Sequence, residues 1–276
     1  KNLSNLSPLL NAGELTSSAF EFPSLELAGA SNVFGATKER SAANGSLMAN
    51  DPHFELSAPS ILYLARLQLQ AADVIGASVP GTPIILSGRN EKLAWGFTAS
   101  YLDDQDIFME EQNSSNFNLY RTDQGWKKFK IDRQYIKVKN FPDIEIERKW
   151  SRNGPILPQT AFDLSSITPK HHVAALSWTA LTDSDTTVSA AIDLMLSPNV
   201  QNGLDALESF YAPSLNFLLV DSEKMVIKTV GKMPKRSPLN ETQGRMPSLG
   251  WKPENIWRGY WGYEVNPIIT SSPGDV

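Results

Sequence analysis

The chain has 276 residues, 41% hydrophobic and 20% charged, with a formal net charge of −5. That length suffices for one large domain or two small ones with a sizeable core, and without a Lys/Arg stripe it excludes a phosphate-backbone partner, so no nucleic acid is expected. The absence of cysteine excludes a disulfide scaffold, a thiolate zinc site and a cysteine nucleophile, and no run reaches the ~18 apolar residues of a membrane span.

In chain order, residues 1–30 are small and polar, with Pro8, Gly13 and Pro23, and read as a spacer or linker with a short helical turn around 14–18. The start lacks an initiator Met and an apolar leader, and the end at Pro273-Gly274-Asp275-Val276 has no closing element, so a piece of a longer protein is expected. Asn44-Gly45 predicts a hairpin between Val33-Phe34-Gly35-Ala36 and Leu47-Met48-Ala49, because both turn residues tolerate positive φ. Residues 58–71 predict a helix: Pro59 suits a first turn, and Ile61, Leu64, Leu67 and Leu69 recur near helical spacing.

Strands are predicted next, over 73–79, 83–86, 92–100, 106–111, 117–120, 135–139, 144–147 and 174–180. From 185 to 211 the pattern is helical, interrupted at Ser197-Pro198-Asn199, with Asn199 placed to cap the second helix. Two strands, 215–220 and 225–229, flank the turn Asp221-Ser222-Glu223-Lys224, and 231–276 reads as a long ordered loop. The sum is an α+β protein of antiparallel sheets with helices packed outside.

The common catalytic patterns are missing: there is no His-Glu-x-x-His, no Walker loop and no Gly-x-Ser-x-Gly elbow. Histidine is limited to His53, His171 and His172, and the adjacent pair reads as surface loop. Asp103-Asp104-Gln105-Asp106 reads either as a solvated turn or as oxygen ligands for a hard cation such as calcium. Gly29-Ala30-Ser31 reads either as an ordinary glycine-rich loop or as a cleavage point that would make Ser31 a new N-terminus. In the second case the residue's own α-amine, with a reference pKa of about 8, is the base its hydroxyl needs.

Several segments, in order, resemble one family. Ser31-Asn32-Val33-Phe34 with Leu47-Met48-Ala49-Asn50-Asp51-Pro52-His53-Phe54 is similar to the start of the catalytic β chain of the penicillin acylases (penicillin amidases), which include the acyl-homoserine lactone acylases. Gly76 to Gly81, Gly88-Arg89-Asn90 with Leu93 to Thr98, Asp103 to Phe108, Arg152 to Ile156, Ala175 to Trp178 and Ser214 to Asp221 resemble further family segments. The match covers 31–276, which would be the N-terminal part of a catalytic β chain cut short, with 1–30 as the spacer before it.

The resemblance implies an αββα sandwich of two antiparallel sheets between helix layers, the N-terminal nucleophile hydrolase fold, present here as a fragment. It implies an amide hydrolase acting on a small-molecule N-acyl substrate through an acyl-enzyme on Ser31, exposed by autocatalytic cleavage. His53 stands beside the nucleophile, where the lactone-acylase branch keeps histidine and the penicillin G branch glutamine. The Ala99 N–H and the Asn216 side-chain amide would form the oxyanion hole, and Arg236 would hold Asn216. Phe54, Leu86, Ser87 and Phe97 would line the acyl pocket. Ser87 replaces a phenylalanine of the penicillin G branch, Phe97 replaces a small residue, and Phe34 replaces the usual tryptophan. Asp103, Gln105 (through its carbonyl) and Asp106 would be structural calcium ligands. The α chain of the same precursor would be the partner, and the location periplasmic or secreted. The alternatives are a β-lactam acylase, or a family member that binds without catalysing.

Overall fold

The computed structural model describes residues 31–54, 57–159 and 164–271; the expected spacer over 1–30 lies outside them. The chain opens with β1 (Asn32–Ala36) and β2 (Leu47–Asp51), paired antiparallel with Val33 opposite Asn50. The two strands are those expected from the sequence. Their connection is longer than a two-residue turn: it runs over 37–46 and includes a 3₁₀ turn at Lys38–Arg40, with Asn44 at φ 52°.

Where a helix was expected over 58–71, the chain forms β3 (Tyr63–Gln68), followed by β4 (Asp73–Ser78). The two strands pair antiparallel, with Arg66 opposite Ile75. Side-chain alternation decides the outcome. Ala65 and Leu67, two apart, pack on the core, while Leu64 between them is 86% exposed. A helix would have buried Leu64 with Leu67; the neighbouring strand offers backbone partners that a helix does not need.

β5 (Ser87–Arg89) and β6 (Ala94–Ala99) follow, while 83–86 forms no strand. Then come β7 (Gln105–Asn113), β8 (Asn116–Thr122) and β9 (Gly125–Lys128). β10 (Lys130–Ile136) begins well before the strand expected from residue 135, and it precedes β11 (Ile144–Ser151), β12 (Gly154–Pro155) and β13 (His172–Trp178). The helical region divides into α1 (Thr187–Leu196) and α2 (Val200–Leu207) at Ser197-Pro198-Asn199. Asn199 Oδ1 accepts from the Asn202 N–H at 2.9 Å, and Asp221 accepts from the Val200 N–H at 2.9 Å, so two of the orphan donors of α2 are satisfied by side chains. β14 (Leu215–Val220), β15 (Met225–Val230), β16 (Ser248–Leu249) and β17 (Ile268–Thr270) complete the chain.

The described residues form two compact units. One comprises 31–102, 182–233 and 261–271. Its seven-stranded antiparallel sheet has the order β17-β15-β14-β6-β5-β4-β3. Period-two alternation sends alternate side chains to opposite faces. Phe217, Leu219, Val226 and Trp95 join Leu194, Val200 and Leu207 of the helices in the larger core. Leu218, Val220 and Met225 face the other way, onto Val33 and Met48 of the β1–β2 hairpin. The sheet is thus covered by helices on one face and by the hairpin on the other. Asn90, buried, ties the β5–β6 turn to the end of α1: its Nδ2 donates to the Met195 and Ser197 carbonyls and its Oδ1 accepts from the Lys92 and Leu93 amides. Lys228, also buried, donates to the Tyr263 and Asn266 carbonyls, and burial pulls its pKa below the usual lysine value.

The second unit comprises 103–181 and 234–260. It holds the sheet β13-β7-β8-β9, with β16 parallel to β7, and the three-stranded sheet β10-β11-β12. Met109, Leu164 and Ala174 form its apolar centre. Glu110 is fully buried and accepts from Asn153 Nδ2 at 2.8 Å; burial pushes its carboxyl above the usual range. His171 is exposed in the turn before β13, as expected of a surface loop, whereas His172 is half-buried and opens β13 opposite Glu111, with its Nδ1 2.9 Å from the Lys170 carbonyl.

Candidate active site

Register in the first unit builds a polar row on the hairpin face of the sheet. Asn216 on β14 lies opposite Thr98 on β6 and opposite Thr229 on β15. Being two residues from Leu218, it shares that residue's face. Thr229, buried, donates its hydroxyl to Asn216 Oδ1 at 2.7 Å. That bond fixes the amide: the oxygen is held by Thr229 and the NH₂ is turned toward Thr98 Oγ1 and the Ala99 carbonyl, each at 3.4 Å. Both of these contacts are long, so the Asn216 NH₂ retains donor capacity for a shorter, better acceptor.

The Ala99 N–H is disposed by the same ladder. Ser100 N–H donates to the Ser214 carbonyl. Hydrogen-bonded and non-hydrogen-bonded pairs alternate along an antiparallel ladder. The Leu215–Ala99 pair is therefore of the second kind, and the Ala99 N–H points away from β14, to the other edge of β6. Phe97, two residues earlier, has the same orientation, and its N–H and C=O on that edge are taken by Asn50. β5 pairs with β6 at Ala94 and Trp95, so among the described residues no strand pairs with that edge beyond Phe97. The end of β6 therefore offers a backbone N–H and a fixed side-chain amide, both donors of the type that stabilises a developing oxyanion.

Because Asn32 pairs with Asp51, Ser31 and His53 both lie at the open end of the hairpin. Ser31 is half-buried. His53 Nε2 lies 3.1 Å from Asp51 Oδ2 and 3.4 Å from Asn32 Nδ2; as a donor that nitrogen serves Asp51. Ala30, whose bond to Ser31 the cleavage expectation concerns, is outside the described residues.

Asn50 attaches the hairpin to the sheet. Its Nδ2 donates to the Asn32 carbonyl at 2.9 Å and the Phe97 carbonyl at 3.0 Å, and its Oδ1 accepts from the Phe97 N–H at 3.1 Å. Gly96 permits the approach, since a Cβ there would stand 3.0 Å from both Asn50 Cβ and Val33 Cγ2. Asn50→Ala is expected to destabilise the fold by about 2 kcal/mol, the scale of stranding part-buried backbone groups. Urea unfolding checks this, with a lowered midpoint at unchanged slope.

The expected acyl-pocket residues are distributed. Leu86 and half-buried Phe97 pack against the helix-side core, Phe97 with its ring 6.0 Å from that of Phe217. Ser87 opens β5, and Phe54 is exposed just beyond β2.

Arg236 lies in the second unit, and its guanidinium occupies the ring of oxygens formed by residues 103–106. Nε donates to Asp106 Oδ2 at 2.9 Å; Nη2 meets Asp103 Oδ1 at 3.0 Å and Asp106 Oδ1 at 3.2 Å, with the Asp103 and Gln105 carbonyls at 3.2 and 3.3 Å. Burial pushes the Asp103 carboxyl up, and the Arg236 charge beside it pulls the other way. These are the oxygens that the resemblance assigns to calcium, and the guanidinium has taken them. Among the described residues, no group of three or more His, Cys, Asp or Glu is arranged to hold a metal ion. As arranged, the donor set does not fit a divalent cation.

The chain matches the penicillin amidase family over residues 2–276. It belongs to that family. The acyl-homoserine lactone acylase QuiP of Pseudomonas aeruginosa is 28% identical over 251 residues, which cover 89% of this chain and 29% of that protein. The penicillin G acylase of Escherichia coli is 31% identical over 248 residues, covering 87% of this chain and 27% of that protein. The thermostable penicillin G acylase of Alcaligenes faecalis superposes with a TM-score of 0.76 at 22% identity, over 88% of this chain and 42% of that one. The α+β architecture is thus that of penicillin G acylase, the N-terminal nucleophile hydrolase fold. The chain spans about three tenths of the length of these two curated relatives.

Sequence reasoning singled out Ser31, His53, Ala99 and Asn216 but passed over Asn50, Asp51 and Thr229. Asn50 had a signal, a polar residue facing inward within a strand beside an apolar pattern. Thr229 had none, because threonine in a strand is ordinary.

Proposed function

We propose that this chain carries the nucleophile of an amide hydrolase that cleaves an N-acyl compound through an acyl-enzyme on Ser31, after autocatalytic cleavage of the Ala30–Ser31 bond. The observation that carries the reading is the end of β6. There the edge-facing Ala99 N–H and the Thr229-held Asn216 amide lie on one sheet unit with the hairpin that starts at Ser31.

Ser31 Oγ attacks the amide carbonyl while the free α-amine, through water, takes the hydroxyl proton. Ala99 N–H and Asn216 Nδ2 stabilise the negative oxygen. Collapse breaks the C–N bond, the amine leaves with that proton, and an ester remains on Ser31. Water then adds to the ester, returns a proton to Ser31 Oγ and releases the carboxylic acid. His53, paired with Asp51, flanks the nucleophile. Phe54, which is exposed, and Ser87 contact the acyl group, while Leu86 and Phe97, packed against the helix-side core, back the sheet behind it.

The substrate class is the acyl-homoserine lactones. His53 and the relatives named lactone acylases support that choice; the relatives named penicillin acylases support β-lactam amides as the second reading. The working protein includes an α chain from the same precursor and acts in the periplasm or outside the cell; among the described residues no helix is long and apolar enough to cross a membrane. The test is mass spectrometry of the purified full-length protein, expected to find a chain beginning at Ser31, together with hydrolysis of lactones of graded acyl length against penicillins G and V. An uncut chain without amidase activity supports a non-catalytic member instead.

A further inference from the structure

We infer that Arg236 is the resident cation of the Asp103–Asp106 loop and that this loop is held without a metal ion. The argument starts from coordination. Calcium takes about six to eight oxygens at about 2.3–2.6 Å. Here every oxygen assigned to it by resemblance lies within hydrogen-bond reach of one guanidinium: both carboxylates, the Gln105 carbonyl and the Asp103 carbonyl as well. Asp106 Oδ2 also accepts from Trp257 Nε1. A divalent ion seated on the same oxygens would stand against a fixed positive charge.

Burial makes the pairing a matter of necessity. The side chains of Arg236 and Asp106 are 9% and 4% exposed. Asp106 is a charge out of water that Arg236 neutralises at contact distance, and the more exposed Asp103 carboxylate adds a second contact to the same guanidinium. The planar fork of arginine suits this role, because it delivers several donors in fixed directions to carboxylate and carbonyl oxygens at once.

The backbone closes over the pair. Gly244 has φ +78°, and a Cβ on it would stand 2.6 Å from Asp106 Oδ1, 2.7 Å from Arg236 Nε and 2.8 Å from Arg236 Cζ. The glycine therefore lies flat on the ion pair and fills the space above it. All of these residues belong to one unit of the fold.

The test uses the full-length protein and two readouts that do not involve catalysis. Terbium, a calcium substitute, is added and its luminescence is excited through tryptophan; an ion at Asp106 would be sensitised by Trp257. The expected result is no calcium-competable signal that depends on Trp257, and a Tm that agrees within about 1 °C between EDTA and excess calcium. Arg236→Gln is expected to lower Tm by roughly 10 °C in EDTA, the scale of orphaning one partner of a buried pair, and to recover part of it with calcium as the freed oxygens accept the ion. A terbium signal in the wild-type protein that calcium displaces and Trp257→Phe removes would overturn the proposal. That readout stands even if Arg236→Gln does not fold.

Discussion

Ser31→Ala is expected to leave one uncut chain across residues 30–31 and to lower amide hydrolysis by at least about 10⁴-fold. In the proposed mechanism two separate reactions depend on the same oxygen. In the first, the hydroxyl adds to the Ala30 carbonyl and the chain is cut. In the second, the same hydroxyl, now beside its own free amine, adds to the substrate. Alanine removes the attacking atom from both. Ser31 is only half-buried and precedes β1, so the fold should be preserved, with stability within about 0.5 kcal/mol of wild type. Electrophoresis for cleavage, a hydrolysis assay for activity and a thermal scan for folding separate these effects. Retained hydrolysis in an uncut, folded Ser31→Ala protein removes Ser31 as the nucleophile. Retained cleavage with lost hydrolysis assigns the cut to another agent and leaves the catalytic role in place.

The parts of the fold legible in the sequence were those fixed by local pattern. The 215–220 and 225–229 strands flank a turn whose Asp221 satisfies the Glu223 and Lys224 amides, and Asn199 caps the helix it was expected to cap. β3 was misread because four apolar residues matched helical spacing, while the deciding partner, β4, supplies its hydrogen bonds from outside the segment. The candidate site divides in the same way. Ser31, His53, Ala99 and Asn216 stand in segments that resemble a family. Asn50 acts on Phe97, 47 positions along the chain, and Arg236 on Asp106, 130 positions back. A single sequence carries no signal for such pairings; they depend on which strands become neighbours. The Asp103–Asp106 segment depends on such a pairing too: read alone, its three oxygen donors in four residues suit a cation, and the guanidinium inferred to serve them comes from an arginine far downstream.

Asn216→Ala is the second large effect: with Asn216 as the proposed oxyanion donor, kcat should fall by about 10²–10³-fold with little change in KM, the usual result of removing one such donor. A companion substitution tests the arrangement rather than the donor. Thr229→Val removes only the hydroxyl that holds Asn216 Oδ1. The amide then loses its fixed orientation, and its NH₂ spends part of its time turned away. The expected result is a loss of roughly 10-fold in kcat, smaller than for Asn216→Ala, and a stability loss of about 1 kcal/mol for the unpaired amide oxygen. Thr229→Ser keeps the hydroxyl and should restore kcat toward wild type, although it deletes a methyl from a buried position. A purely structural role for Thr229 predicts the reverse ranking, with serine at least as harmful as the isosteric valine. The double variant Asn216→Ala with Thr229→Val should be no slower than Asn216→Ala alone, because the hydroxyl acts only through the amide it orients. Steady-state kinetics on the four proteins, with thermal scans alongside, decide among these outcomes. Additive losses in the double variant would show that Thr229 acts on catalysis by another route.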